Sequence, residues 1–130
     1  MIYHETLKIT KQIVDQFINF SGDTSPIHTS TKGAKTYGFQ EQLAHGAILI
    51  ALFSKIVGTK ISKPGSVAVC CGVSVEWPNP IFINDEIELV VNRERISKST
   101  GVWVLKLAAM NQRNRVVMRG NAKVKITGAQ

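Results

Sequence analysis

The segment LAHGAILIALFSKIV, residues 43–57, decides the fold. When it is wound as a helix of about 3.6 residues per turn, apolar side chains point to nearly every side. A helix of this kind is surrounded by protein. The segment therefore predicts a long helix at the centre of the core, and Gly58, which follows directly, predicts its C-cap.

The chain after the central helix has the pattern of β-strands. Lys63–Pro64–Gly65 interrupts the helical region, and four stretches rich in Val, Ile and Leu follow. Short turn-forming sequences separate them, which favours antiparallel neighbours. The predicted strands are Ser66–Glu76, Glu86–Ile96, Val102–Met110 and Val116–Ile126.

The chain before the central helix predicts one strand and two shorter helices. The strand lies within Ile2–Ile9, and Thr10 is a suitable N-cap for an amphipathic helix that ends near Phe20. Ser30 or Thr31 can cap the next helix. Helices followed by a meander of strands predict an α+β fold, one antiparallel sheet wrapped around the long helix. With 130 residues, the chain is predicted to be one domain, residues 1–130.

The chain is basic, with a formal net charge of +7. A basic surface attracts polyanions, so nucleic acid and a phosphorylated small ligand, such as a coenzyme with a nucleotide tail, are both possible partners. The basic residues are scattered and no RNA-binding aromatic signature lies among them, which makes nucleic acid the less favoured partner. The densest groups are Arg93, Arg95 and Lys98, and Arg113, Arg115 and Arg119.

The cysteines and the apolar runs indicate the compartment. Cys70 and Cys71 are adjacent on a predicted strand, where neighbouring side chains point to opposite faces, so we expect two reduced thiols. No Cys or His has zinc-binding spacing, which predicts no metal. Residues 1–11 lack the apolar core of a secretory signal, and no apolar run reaches the about 18 residues that span a bilayer. These features predict a cytoplasmic protein with no membrane partner.

The stretch FSGDTSPIH, residues 20–28, carries the candidate chemistry. Asp23 and His28 lie five residues apart, and Gly22 and Pro26 keep the stretch from forming one regular helix. A short irregular loop can therefore point the carboxylate and the imidazole at one spot, where both exchange protons with a single water near neutral pH. The alternative interpretation is ordinary turn chemistry at Asp23 and a surface histidine at position 28.

These residues resemble a known family. The pattern Phe20–Ser21–Gly22–Asp23–x–x–Pro26–Ile27–His28 is similar to the signature of the (R)-specific enoyl-CoA hydratases, the MaoC-like group of hotdog-fold proteins. Further similarities over nearly the whole chain are Ala44–His45–Gly46 at the start of the long helix, Trp77–Pro78–Asn79–Pro80, and Asn84–Asp85. Ser25 stands where the family usually has Asn, and its shorter side chain offers fewer hydrogen-bonding groups to hold the loop.

The resemblance implies a lyase that reversibly adds water to a trans-2-enoyl-CoA, giving an (R)-3-hydroxyacyl-CoA. In this family Asp23 and His28 would activate the water, although the sequence does not decide which of them takes the proton. The Gly46 N–H would stabilise the thioester oxygen, with Ser54 and His45 lining the site. The resemblance also implies a single hotdog domain that forms a homodimer, and no cofactor other than the coenzyme A of the substrate.

Two other functions fit the same residues. One is a 3-hydroxyacyl-thioester dehydratase that acts on a carrier protein and uses the same pair in reverse. The other is a non-catalytic acyl-thioester-binding protein in which Ser25 marks a decayed site. A hotdog thioesterase fits less well, because residues 43–57 contain no carboxylate.

Overall fold

Five antiparallel strands form one sheet in the computed structural model, which describes residues 1–128. The order across the sheet is β1-β3-β4-β5-β2, and each neighbouring pair is antiparallel. This confirms the predicted α+β fold and places every predicted strand within two residues of its observed bounds. The strands are β1 (Ile2–Lys8), β2 (Ser66–Glu76), β3 (Glu86–Ser97), β4 (Val102–Met110) and β5 (Val116–Gly128).

Three of the four α-helices come before the central helix in the chain, and two of these three have the predicted N-caps. The Thr10 hydroxyl accepts a hydrogen bond from the Ile13 N–H at 3.2 Å, and the Ser30 hydroxyl accepts one from the Gly33 N–H at 2.9 Å. These bonds satisfy N–H groups that lack a partner within the helix. The helices are α1 (Lys11–Ser21), α2 (Pro26–Thr29), α3 (Thr31–Thr36) and α4 (Ala47–Ile56).

The central helix α4 starts later than its apolar pattern predicts, and a further helical turn extends beyond its predicted end. Leu43 and Ala44 are extended rather than helical, because Leu43 pairs with Phe82 and the Ala44 N–H donates to the carbonyl of Ile81 at 2.8 Å. At the other end Gly58 is not the C-cap, since a π-helical turn carries the chain from Val57 to Ile61. The late start makes Gly46 the N-cap of α4.

One face of α4 fills the hollow of the sheet. Its buried side chains pack with inward-facing residues of β3, β4 and β5, and burial of each large apolar side chain contributes about 1.5–3 kcal/mol. The opposite face is open in the single chain, since Ala47, Ala51 and Ser54 are exposed. The prediction that protein surrounds this helix is therefore right for only one face. The buried residues of α4 are Ile48, Leu49, Leu52, Phe53 and Ile56.

Strand β2 forms one edge of the sheet and contains both cysteines. Cys70 and Cys71 are free thiols, as predicted, and both are exposed. The pairing of β2 with β5 shifts register between Cys70 and Gly72, so a β-bulge interrupts the regular alternation there. Among the described residues, no helix has the length and apolar character needed to cross a bilayer.

The sheet also depends on a close approach between β5 and β2 at Gly120. A Cβ atom at this position would lie 2.0 Å from the carbonyl oxygen of Ser74, which belongs to the backbone and has no room to move aside. Only glycine fits between the two strands here.

We therefore expect Gly120→Ala to lower the free energy of unfolding by about 2 kcal/mol or more, measured by urea denaturation. Gly72→Ala is the control on the neighbouring strand, because a Cβ there has nothing within 4 Å. The control should change stability by less than about 0.5 kcal/mol. Equal losses in the two variants would contradict the close approach.

Candidate active site

The loop after α1 holds Asp23 by hydrogen bonds to the serines two residues before and two residues after it. Gly22 ends the helix with a φ of 74°, the Asp23 N–H donates to the Ser21 hydroxyl at 3.1 Å, and Asp23 Oδ1 accepts the Ser25 N–H at 3.2 Å. This is the turn chemistry of the alternative interpretation. It occupies one carboxylate oxygen only, and Oδ2 faces the histidines.

His28 lies on α2 and is fixed by the extended segment before α4. Its Nδ1 lies 2.9 Å from the carbonyl oxygen of Leu43, which only accepts hydrogen bonds, so Nδ1 carries a proton. In the neutral ring the lone pair is then on Nε2. This atom lies 3.9 Å from Asp23 Oδ2, which confirms that the loop brings the two predicted residues together.

His45 completes the cluster as a buried support for both catalytic candidates. Its ring stacks on His28 with 3.8 Å between centroids, and Phe17 packs against it at 4.6 Å. Its Nε2 donates to the backbone carbonyl of Asp23 at 3.1 Å and lies 3.8 Å from Asp23 Oδ2. Burial lowers the pKa of the His45 imidazole, so the ring is neutral at pH 7.

The geometry suits the binding of one water in a defined orientation. Asp23 Oδ2 and the Nε2 lone pair of neutral His28 are both acceptors, so neither can donate to the other. An oxygen placed between them donates one proton to each. Its lone pairs then point away from the pair, which is the orientation a nucleophile requires.

A cavity of about 410 Å³ opens beside His28 and is mostly apolar, and Asp23 reaches it through its position next to the His28 ring. It runs from His28 and Gly46 to the bend after β2, where the Trp77 indole N–H donates to the Gly46 carbonyl at 3.2 Å. The Gly46 N–H donates to no acceptor among residues 1–128. The other lining residues are Phe39, Leu43, Ala44, Ala47, Pro78, Asn79, Pro80 and Ile81.

Trp77 makes glycine necessary at position 46. A Cβ on Gly46 would lie 2.6 Å from Cε2 and Nε1 of the indole ring. The sequence alone favours a core or interface role for this tryptophan, but the side chain is 43% exposed and forms a wall of the cavity. Its place in the Trp77–Pro78–Asn79–Pro80 bend was the only signal available.

The structure separates Ser54 from the other predicted site residues. Ser54 is exposed on the open face of α4 and does not line the cavity of His28 in the single chain. Its assignment to the site stays a prediction.

Asp23, His28 and His45 also form the one group among residues 1–128 with three atoms placed to bind a metal ion, all within 4.8 Å of one another. The spacing of the sequence gave no sign of this group. His45 Nε2 uses its proton on the Asp23 carbonyl, however, and a metal needs a lone pair at that atom. The arrangement therefore favours a proton-transfer site over a metal site, and the absence of a metal stays a prediction.

Residues 2–110 match the family model described as "MaoC like domain". The chain belongs to this family. A solved (R)-hydratase from A. caviae superposes on this MaoC-like chain with a TM-score of 0.88, 25% sequence identity, and coverage of 96% of this chain and 93% of that one. The fold is therefore the hotdog fold that the resemblance implied.

Two curated relatives are a hydratase and a dehydratase. This MaoC-like chain is 27% identical over 113 residues to an (R)-specific enoyl-CoA hydratase of Aeromonas caviae, which covers 87% of this chain and 83% of the relative. It is 25% identical over 124 residues to a mitochondrial 3-hydroxyacyl-[acyl-carrier-protein] dehydratase of Arabidopsis thaliana, covering 93% and 72%. The family relationship is thus to hydratases and dehydratases.

The burial of neutral His45 predicts a loss of stability in mild acid. The unfolded chain takes up a proton below about pH 6.5, whereas the folded protein resists it because the pKa of His45 is lowered. The free energy of unfolding should therefore fall from pH 7 to pH 5.5, by at most about 1.4 kcal/mol per pH unit. Urea denaturation at several pH values measures it.

His45→Gln should make this fall smaller, and His4→Gln, which changes an exposed histidine, should leave it as it is. Lys55 and Lys60 also lower the pKa of Glu5. The contribution of Glu5 to the free energy of unfolding is lost only at a more acidic pH, where its carboxylate takes up a proton. An unchanged pH dependence in His45→Gln would show that this ring does not control it.

Proposed function

We propose that this protein reversibly hydrates trans-2-enoyl-CoA to (R)-3-hydroxyacyl-CoA, with Asp23 and His28 activating the water. The observation that carries the proposal is the 3.9 Å separation of Asp23 Oδ2 and His28 Nε2, with His28 lining an apolar cavity. The hydratase and dehydratase relatives support the reaction class.

The chemistry follows from the orientation of the water. As the water oxygen bonds to carbon 3 of the enoyl group, one member of the pair removes a proton from it. The electrons of the carbon–carbon double bond move toward the thioester and place negative charge on its oxygen. A proton from the pair then goes to carbon 2, and the thioester carbonyl forms again. The reverse sequence removes water from the hydroxyacyl thioester.

The Gly46 N–H is the donor that we assign to the thioester oxygen. It lies at the N-terminus of α4, where N–H groups lack helical partners and the helix dipole favours negative charge. The loss of one such donor typically raises a barrier by about 3 kcal/mol. Trp77 holds the Gly46 carbonyl from the other side and so fixes the direction of this peptide group.

We also propose that two copies of the chain associate through the β2 edge. Residues 66–75 of this strand contain no charged side chain, and Val67, Val69 and Val73 are exposed. A long, uncharged edge strand invites pairing with another strand. Strand β2 contacts the π-helical turn that follows α4, and we propose that Ser54, on the open face of α4, joins the site in this dimer. The cytoplasmic location of the protein also remains a prediction.

The second candidate function is a dehydratase for a carrier-protein thioester, which the Arabidopsis relative favours. The structure gives less support to a non-catalytic binder. Asp23 is held through the backbone N–H of Ser25, and the Ser25 side chain forms no hydrogen bond within residues 1–128. Replacement of the usual Asn therefore leaves the carboxylate in place.

We expect Asp23→Asn and His28→Gln each to lower kcat/KM for crotonyl-CoA by at least ~10²-fold, because each change replaces a group that can take a proton from the water with an amide that cannot. The decrease in crotonyl-CoA absorbance measures turnover. Asp15→Asn and His4→Gln are matched controls at exposed positions and should retain parental rates. Near-parental activity in either site variant would exclude the assigned role, and a parent inactive on enoyl-CoAs of several chain lengths would exclude the proposed reaction.

A further inference from the structure

A second cavity adjoins the one beside His28 and is lined mainly by polar side chains. Its volume is about 290 Å³, and it shares Asn79 and Pro80 with the His28 cavity. Arg113 and Arg115, from the turn between β4 and β5, form part of its wall. A ligand bound beside His28 can therefore extend over Asn79 and Pro80 toward two guanidinium groups.

Hydrogen bonds hold the backbone of the turn that carries the two arginines. Asn111 Oδ1 accepts the N–H groups of Arg113 and Arg115 at 2.9 and 3.1 Å, and the Asn111 N–H donates to the Arg115 carbonyl at 3.0 Å. Asn79 Nδ2 donates to the carbonyl of Val116 at 2.8 Å. This last bond ties the start of β5 to the bend that forms the wall of both cavities, so the backbone that carries the arginines is anchored next to the site.

Both guanidinium groups are available to a ligand. Neither Arg113 nor Arg115 forms an ion pair within residues 1–128. The cavity also contains the carboxylates of Asp85 and Glu41. Asp85 is buried and already accepts the Phe82 N–H and the Gln112 amide, both at 2.9 Å, whereas Glu41 is exposed.

We propose that Arg113 and Arg115 bind the phosphate at the end of the pantetheine arm that carries the acyl thioester. This inference rests on the proposed function, because it places the thioester beside His28. Guanidinium groups form paired hydrogen bonds to phosphate, and two of them on one hydrogen-bonded turn make a specific anchor. Coenzyme A and the phosphopantetheine of a carrier protein share this phosphate, so the same anchor serves either source.

The test compares thioesters with and without the phosphate. In the double variant Arg113→Gln/Arg115→Gln, kcat/KM for crotonyl-CoA should fall by about tenfold or more, chiefly through KM. The value for crotonyl-N-acetylcysteamine, which has no phosphate, should stay within about twofold of the parent. Arg95→Gln is the control for lost charge. Asp85 lines the arginine cavity and β3 begins at the next residue, Glu86, so Arg95 lies on the order of 30 Å along the strand from that cavity.

Glu41→Gln tests the sign of the electrostatic effect. Removal of this exposed negative charge from the same cavity should raise kcat/KM for crotonyl-CoA by about two- to fivefold and leave the short thioester unaffected. A crotonyl carrier protein distinguishes the two sources of phosphate. A loss in the double variant for both carriers supports an anchor for the shared phosphate, and a loss for one carrier alone identifies that carrier as the source.

Binding of free coenzyme A, measured by calorimetry, separates this proposal from the reaction itself. The parent should bind coenzyme A at least about tenfold more tightly than the double variant, whether or not it hydrates any enoyl thioester. Equal affinities in the two proteins, or equal losses with crotonyl-CoA and crotonyl-N-acetylcysteamine, would overturn the phosphate anchor. An inactive parent with the expected difference in binding would overturn only the proposed reaction.

Discussion

The hydrogen bond between His28 Nδ1 and the Leu43 carbonyl is the interaction on which the candidate site depends. It fixes the tautomer of His28, so that Nε2 presents a lone pair toward Asp23. The bond exists because Leu43 and Ala44 pair with the chain near Phe82 instead of joining α4. The late start of α4 therefore supplies the acceptor for His28 and also places the Gly46 N–H at the helix terminus.

Neutral groups around this bond reduce the freedom of the reactive pair. His45 stacks on His28 and holds the backbone of Asp23, and Trp77 holds the carbonyl of Gly46. Each support comes from a different part of the chain, so the reactive atoms keep their positions before any substrate binds. Such preorganisation is the main contribution a protein makes to stabilising charge in a transition state.

The sequence predicted the elements that local chemistry controls. Turn residues set the bounds of β2 to β5, and the hydroxyl of Thr10 set the start of α1. It did not predict the start of α4, because apolar residues such as Leu43 suit a buried helix and a buried bridge equally well. The Asp23 and His28 pair followed from spacing, whereas the role of His45 and the contact of Trp77 with Gly46 depend on tertiary packing.

A double-mutant cycle on kcat/KM for crotonyl-CoA tests the central claim most directly, that Asp23 and His28 act on the same water. If they do, either single change already disables that water. The double variant Asp23→Asn/His28→Gln should then be no more than about tenfold worse than the poorer single variant. Independent losses that multiply in the double variant would show that the two residues act on different atoms, and would contradict the account.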